Sequence, residues 1–405
     1  MAPSVDVVCA RLLAEARPTP VTFVEAADAV GRVVAYPLRA LHPLPAFDAS
    51  VMDGYAVRAA DVVVGAALPV AGESAAGRPF RGRLATERAA RISTGAAVPA
   101  GADAVIPQEW TSPAGSAIRV DRVAPSFGPG TFVRPAGSDV RAGAVLLRAG
   151  DTVGPGEAAL AAAAGHVRLP VRARPIVEIL CTGDEIHPPG RRPPPGGIVG
   201  TNDLMLAAQV REAGGQPRIL PVVPDDDGAL AQALAGVQRR NPHVLVTSGG
   251  ISVGPHDRVR PALEALGARC LFHGIALRPG RPTAAFTWGP TVVCALPGNP
   301  ASTFVTFELL VRPLLRAMLG APPHRAPASV PLACSVVPEA TREHVMRARW
   351  SGDGRRAVPL AHQASGDLSS IAGATLLLRV PADCDRRPIP PGTPLRAIHL
   401  PERWT

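Results

Sequence analysis

The chain has 405 residues, 47% of them hydrophobic and 19% charged, which excludes an intrinsically disordered polypeptide and exceeds the size of one ordinary domain. Its 42 basic residues, every one an arginine, outnumber 33 acidic ones for a formal charge of +9, yet they are scattered and only 4% of residues are aromatic. That distribution excludes a stacking platform for single-stranded nucleic acid and favours small anionic partners.

Residues 5–16 (VDVVCARLLAEA) carry apolar positions at helical spacing, and 21–35 (VTFVEAADAVGRVVA) read as a second, Ala-rich helix. The proline-broken segment 41–47 is a linker or a crossing strand. It leads to DASVMDGYAVRAAD, where Ser50, Asp53 and Gly54 form a polar turn. From 68 to 148 short apolar runs alternate with Gly and Pro, the texture of a β-rich module, with a Ser93-Thr94-Gly95 turn inside it. A helix is expected at 154–164 and a return strand after it.

At Pro175 the pattern changes to strands alternating with helices. PIVEIL ends in Cys181-Thr182-Gly183-Asp184-Glu185, and a Gly/Pro loop leads to Thr201-Asn202 as an N-cap. PRILPVV is a strand, Pro224 to Asp227 a turn and cap, and GALAQALAGVQRR a helix. Val244-Leu245-Val246 then runs as a buried strand into Thr247-Ser248-Gly249-Gly250-Ile251-Ser252, with Gly254, His256 and Asp257 beyond. Such a turn either exposes backbone N–H groups to a phosphate or is a tight, ligand-free βα connection. After a helix at VRPALEALG come strands TAAFTW and TVVCAL. Asn299 with Pro300 then starts a long helix. The polar turns fall at strand C-terminal ends, where doubly wound sheets bind ligands.

These elements predict an α/β multidomain protein. A discontinuous N-terminal helical/linker domain takes 1–47 and 138–174, and a β-rich inserted domain takes 48–137. A doubly wound, mostly parallel sheet takes 175–320, and a small C-terminal all-β domain takes 321–405, with one polar cluster at His362 to Ser370. Six cysteines without a C-x-x-C pair read as reduced thiols. With no leader pattern and no apolar run of membrane-spanning length, a cytoplasmic protein with no membrane or nucleic-acid partner is expected.

Eight motifs in order resemble the molybdopterin molybdenumtransferases, the MoeA and gephyrin E-domain family. They are SVMDGYAV (50–57), RISTGAAVPAGADAVIPQE (91–109), VRPAGSDVRAG (133–143), TGDEI (182–186), GTNDLML (200–206), TSGGISVGPHD (247–257), RPGRP (278–282) and LPGNPAS (296–302). The resemblance implies a Mg²⁺-dependent enzyme that inserts molybdate into adenylylated molybdopterin and releases AMP, the last step of molybdenum cofactor synthesis. It implies catalytic carboxylates at Asp53, Glu185, Asp226 and Asp257, the last three as metal ligands. It also implies that Thr94, Ser248, Gly249, Gly250, Ser252 and Asn299 face the pterin and nucleotide, with Arg278, Arg281, Arg347 and Ser365 toward molybdate. A homodimer is implied, with transient contact to the preceding adenylyltransferase or to acceptor molybdoenzymes. The chain departs from the family in carrying RPGRP where lysine is usual, and Thr131-Phe132-Val133 where an Asn is common. A non-catalytic pterin-binding scaffold and the adenylyltransferase of the preceding step are the alternative readings.

Overall fold

In the computed structural model of the chain, residues 2–251, 258–326 and 328–400 are described; Ser252 and Asp257 of the anticipated site lie outside them. Among the described residues the chain forms three sheets of six strands each, with several two-stranded ribbons.

The central sheet has the spatial order Gln216–Ile219, Ile176–Cys181, Val244–Ser248, Thr291–Leu296, Ala284–Trp288, Arg269–His273. The first four strands are parallel, and the last two pair antiparallel. Arg269–His273 is a strand that its sequence had not announced. The β-branched run of the inner strands follows from burial on both faces. Val177, Ile179, Val244 and Val246 point into one core, and Leu180, Leu245, Val293 and Ala295 into the other. Helices Asp227–Arg240 and Val259–Ala265 cover the second face. Helix Asn202–Glu212 and the long run from Pro300 to Met318 cover the first. That run was expected as one helix; it widens into a π turn at Phe307–Val311, just before Pro313. A proline there lacks the N–H for the preceding turn and crowds it, and the wider turn relieves both.

The N-terminal helix is Val5–Leu13, capped by Ser4. Chain order grouped it with residues up to 47, but its stripe Val5, Val8, Cys9 and Leu12 is buried in the core of the α/β unit. Residues 21–35 are not a helix: Val21–Glu25 is a strand paired with Arg168–Arg172, followed by a short 3-10 turn. The β-branched pair around Phe23 favours extension, and a partner strand 147 residues away decides the matter. These segments share a small core of Val34, Leu38, Leu147, Val153, Leu169 and Val171 with helix Pro155–Ala163. The inserted module is a six-stranded sheet with the order Ala104–Pro107, Gly54–Val57, Ala89–Ile92, Ala67–Ser74, Ala117–Val120, Thr111–Ala114. In the C-terminal unit, Glu343–Trp350 pairs with Leu277–Arg278, a short strand donated by the α/β unit. A helix, Leu368–Gly373, capped by Asp367, interrupts its polar cluster.

One buried ion pair ties helix to sheet. The Glu178 side chain, on the middle of a central strand, is 0% exposed and accepts from Arg240 Nε at 2.6 Å and Nη2 at 2.9 Å. Arg240 ends the helix that covers that face. Arg240→Ala leaves a carboxylate without its cation and is expected to cost about 2–4 kcal/mol, the lower figure reflecting water around the half-exposed guanidinium. The double variant Glu178→Met/Arg240→Met should regain most of that loss, as read from denaturant midpoints.

Candidate active-site cleft

The pairing register brings Cys181, Ser248 and Leu296 level with one another at the C-terminal ends of three parallel strands. The chain passes from Ile176–Cys181 to one neighbour and returns to the other, so a switch in strand order lies there, where open α/β sheets leave a crevice. A cleft of about 810 Å³ occupies this place. Its lining includes Thr182, Glu185, Asn202, Asp225, Ser248, Gly249, Gly250 and Asn299.

The turn after Ser248 is held open by left-handed glycines, Gly249 at φ +97° and Gly250 at φ +63°. A Cβ on Gly249 would lie 2.6 Å from the Thr182 carbonyl oxygen, so the conformation and the close approach both demand glycine. The Gly249 N–H donates to the Leu296 carbonyl at 3.3 Å. Among the described residues no acceptor faces the N–H of Gly250 or Ile251. Asn202 was read as part of a cap. Its Nδ2 instead donates to Ser248 Oγ at 2.9 Å and to the Gly298 carbonyl at 2.6 Å, bridging two of the three strand ends. Its Oδ1 and the Thr182 hydroxyl are buried without a partner. Buried polar atoms left unpaired at a cleft mark a place for a polar ligand.

Three acidic residues line the cleft, Glu185, Asp203 and Asp225. Asp226, expected as a ligand, does not line it. Its Oδ1 accepts from Ala229 N at 2.7 Å as the N-cap of Asp227–Arg240. In a run of three aspartates only the helix start decides which one caps, and Asp225 had not been singled out. Cys181 closes the floor, and burial pushes its thiol up to about 12, so it is neutral. Among the described residues no cluster of three metal-ligating side chains forms in the cleft; the one such group is Asp383, Cys384 and Asp385, far along the chain.

A family model described as "MoeA N-terminal region (domain I and II)" matches residues 3–165, "Probable molybdopterin binding domain" matches 178–317, and "MoeA C-terminal region (domain IV)" matches 329–399. Molybdopterin molybdenumtransferase 2 of Mycobacterium tuberculosis is 36% identical over 93% of this chain and 94% of its own. The molybdopterin molybdenumtransferase of Synechococcus elongatus is 34% identical over 96% and 97%. The chain belongs to the MoeA molybdopterin molybdenumtransferase family. The crystal structure of the Pyrococcus horikosii molybdopterin biosynthesis MoeA protein superposes with a TM-score of 0.85, at 29% identity and with both chains covered in full.

Among the described residues, the others that the MoeA resemblance singled out, Asp53, Thr94, Arg278, Arg281, Arg347 and Ser365, are not part of the cleft lining. Asp53 and Thr94 sit in the inserted module, where Asp53 Oδ1 accepts from Thr94 N at 2.7 Å and from Thr94 Oγ1 at 2.8 Å. Those two bonds hold the Asp53 carboxyl below the usual carboxylate range. Arg278 is ion-paired with Glu339, and Arg281 is exposed on the turn whose Pro282 touches the cleft. Arg347 is fully buried. Its Nε donates to Ser370 Oγ at 3.1 Å and its Nη2 to the Ala364 carbonyl at 2.8 Å, while Nη1 has no partner. The Ser365 carbonyl accepts from Ala301 N at 2.9 Å, and Gly366 and Leu368 beside it border the cleft. The C-terminal unit thus reaches the cleft rim through the loop that Arg347 braces.

His344 is paired in register with Arg278. Burial, and then the Arg278 charge, push its imidazole from 6.5 down to about 4. Between these values the unfolded chain takes up a proton that folded His344 refuses, so stability falls as pH drops from about 6.5 to about 4 and the loss levels off below. The full effect is at most about 3 kcal/mol. His344→Leu should show a correspondingly smaller loss over that window when urea midpoints are compared at several pH values.

Proposed function

We propose that this chain inserts molybdate into adenylylated molybdopterin and releases AMP, the last step of molybdenum cofactor synthesis. The observation that supports the reading is the cleft at the level strand ends, whose lining combines the Gly249–Gly250 turn with the acidic residues Glu185, Asp203 and Asp225 in a chain of this family. Carboxylates beside phosphates repel unless a cation intervenes, and magnesium commonly takes one or two carboxylates with substrate oxygens. Glu185 and Asp225 fit that donor set, with Asp257 a further candidate from its motif. Mg²⁺ held there would supply positive charge to the phosphoanhydride. The N–H groups of Gly250 and Ile251, with the Thr182 hydroxyl, would hold phosphate oxygens in place, and the unpartnered Asn202 Oδ1 would accept from a donor group of the substrate. Molybdate, the second substrate, would lie toward Arg347, Arg278, Arg281 and the Ser365 loop. The unpartnered Nη1 of Arg347 supports this, since a buried guanidinium N–H calls for an acceptor.

Asp53 and Thr94 belong to a different unit and do not line the cleft of their own chain, which supports a homodimer whose inserted module completes the partner's site. Among the described residues no helix is long and apolar enough to cross a membrane. A cytoplasmic biosynthetic role fits, with transient contact to the preceding adenylyltransferase or to enzymes that receive the cofactor.

With adenylylated molybdopterin, Mg²⁺ and molybdate, the protein should release AMP, and the reading fails if none appears. Glu185→Gln should lower the rate by about 10²-fold or more while its thermal unfolding stays unchanged. Mixing Asp53→Asn with Glu185→Gln subunits should restore part of the activity, because one site of each heterodimer retains both carboxylates. Mixtures that exchange subunits and remain inactive would rule out a shared site.

A further inference from the structure

The inserted module carries a cavity of its own, about 710 Å³ in volume, lined by Arg58, Arg83, Thr86, Asp103 and the chain around Leu84 and Gly101. Asp53 precedes strand Gly54–Val57 and Arg58 follows it, so this cavity opens at the end of the strand opposite to Asp53 and Thr94. It shares no residue with the cleft at the level strand ends. Its walls are set by packing. Leu84 is buried, and its N–H donates to the Ala100 carbonyl at 2.8 Å. Gly101, at φ +92°, lets the two segments close, because a Cβ there would lie 2.5 Å from the Leu84 carbonyl oxygen.

Neither arginine of this cavity is neutralised within the module. The Asp61 and Asp103 carboxylates accept instead from backbone, from Glu87 N and Ala59 N, each at 2.7 Å. Among the described residues Arg58 and Arg83 have no hydrogen-bond or ion-pair partner, and the N–H groups of Ala85, Thr86 and Gly101 meet no acceptor. Two guanidinium forks, the Thr86 hydroxyl and free N–H groups offer more donors than the two oxygens of a carboxylate can take. They suit the three terminal oxygens of a phosphate monoester. The Asp103 carboxylate in the same lining opposes a bare anion but accepts from a hydroxyl. Leu84, Ala85 and Ala102 are the only apolar lining, small or buried, and give no seat for a flat ring. We propose that this cavity of the inserted module binds a phosphate monoester of a polyol or sugar, with the phosphate on Arg58 and Arg83 and a hydroxyl on Asp103.

Calorimetric titration of the full chain with glycerol 3-phosphate, inorganic phosphate and glycerol tests the assignment. Glycerol 3-phosphate should bind more tightly than inorganic phosphate, and glycerol should give no signal. Arg58→Gln/Arg83→Gln should weaken glycerol 3-phosphate by about tenfold or more with thermal unfolding unchanged. Asn202→Ala, in the α/β cleft, should leave that binding in place. Asp103→Asn keeps an oxygen for the Ala59 N–H, so it gives a readout that does not depend on a loss of fold. It should tighten inorganic phosphate several-fold and remove most of the advantage of glycerol 3-phosphate. Binding that survives in the glutamine variant and disappears in Asn202→Ala belongs to the α/β cleft and overturns the proposal. Equal wild-type affinities for the two phosphates, or no binding of either, overturn it as well.

Discussion

The register of three parallel strands is the constraint on which the rest of this structure depends. Because Cys181, Ser248 and Leu296 are level, the loops that follow them meet at one place. A slip of one residue would turn Ser248, and core residues such as Val246 on the same side of the strand, to the opposite face. Burial on both sides of the sheet opposes such a slip, since it would misplace every apolar side chain at once. Asn202 then joins two of the loops directly. The cleft is therefore a by-product of core packing.

The C-terminal unit is joined to this sheet by more than a linker. Leu277–Arg278 adds to its edge, and Arg347 braces the loop that borders the cleft. On the outer side, Glu308 lies buried in the π turn between Arg312 and Arg325, with Gln209 donating to it at 3.0 Å. Burial pushes the Glu308 carboxyl up, against the opposing pull of the two arginines. Arg325 belongs to the segment between the units and also pairs with Glu212. This network fixes the chain as it leaves the α/β unit, at the desolvation cost that buried charges carry.

Much of the candidate site was legible because its signals are local. A β-branched run followed by Thr-Ser-Gly-Gly announces a strand and a turn, and Asn299-Pro300 announces a helix start. Gly249, Gly250, Glu185, Ser248 and Asn299 all border the cleft. Asp226 caps the helix while Asp225 lines the cleft, a division that depends on where the helix begins and that the run Asp225 to Asp227 leaves open. Ile198 and Val199 were not singled out at all: in sequence they are two apolar residues in a Pro/Gly loop, and only their pairing with Ile186 and His187 turns them toward the cleft.

Local patterning by itself determined the alternation of strands and helices from 176 to 318, the β texture of the inserted and C-terminal units, and the succession of motifs. Tertiary structure alone decided three matters. Val21–Glu25 became a strand because Arg168–Arg172 was there to pair with it. The first helix left its neighbours in sequence for the α/β core because its apolar stripe is buried there. Asp53 was separated from the cleft of its own chain because the inserted module is a unit of its own. In each case the deciding free energy comes from surfaces far apart along the chain, and no window of sequence contains both partners.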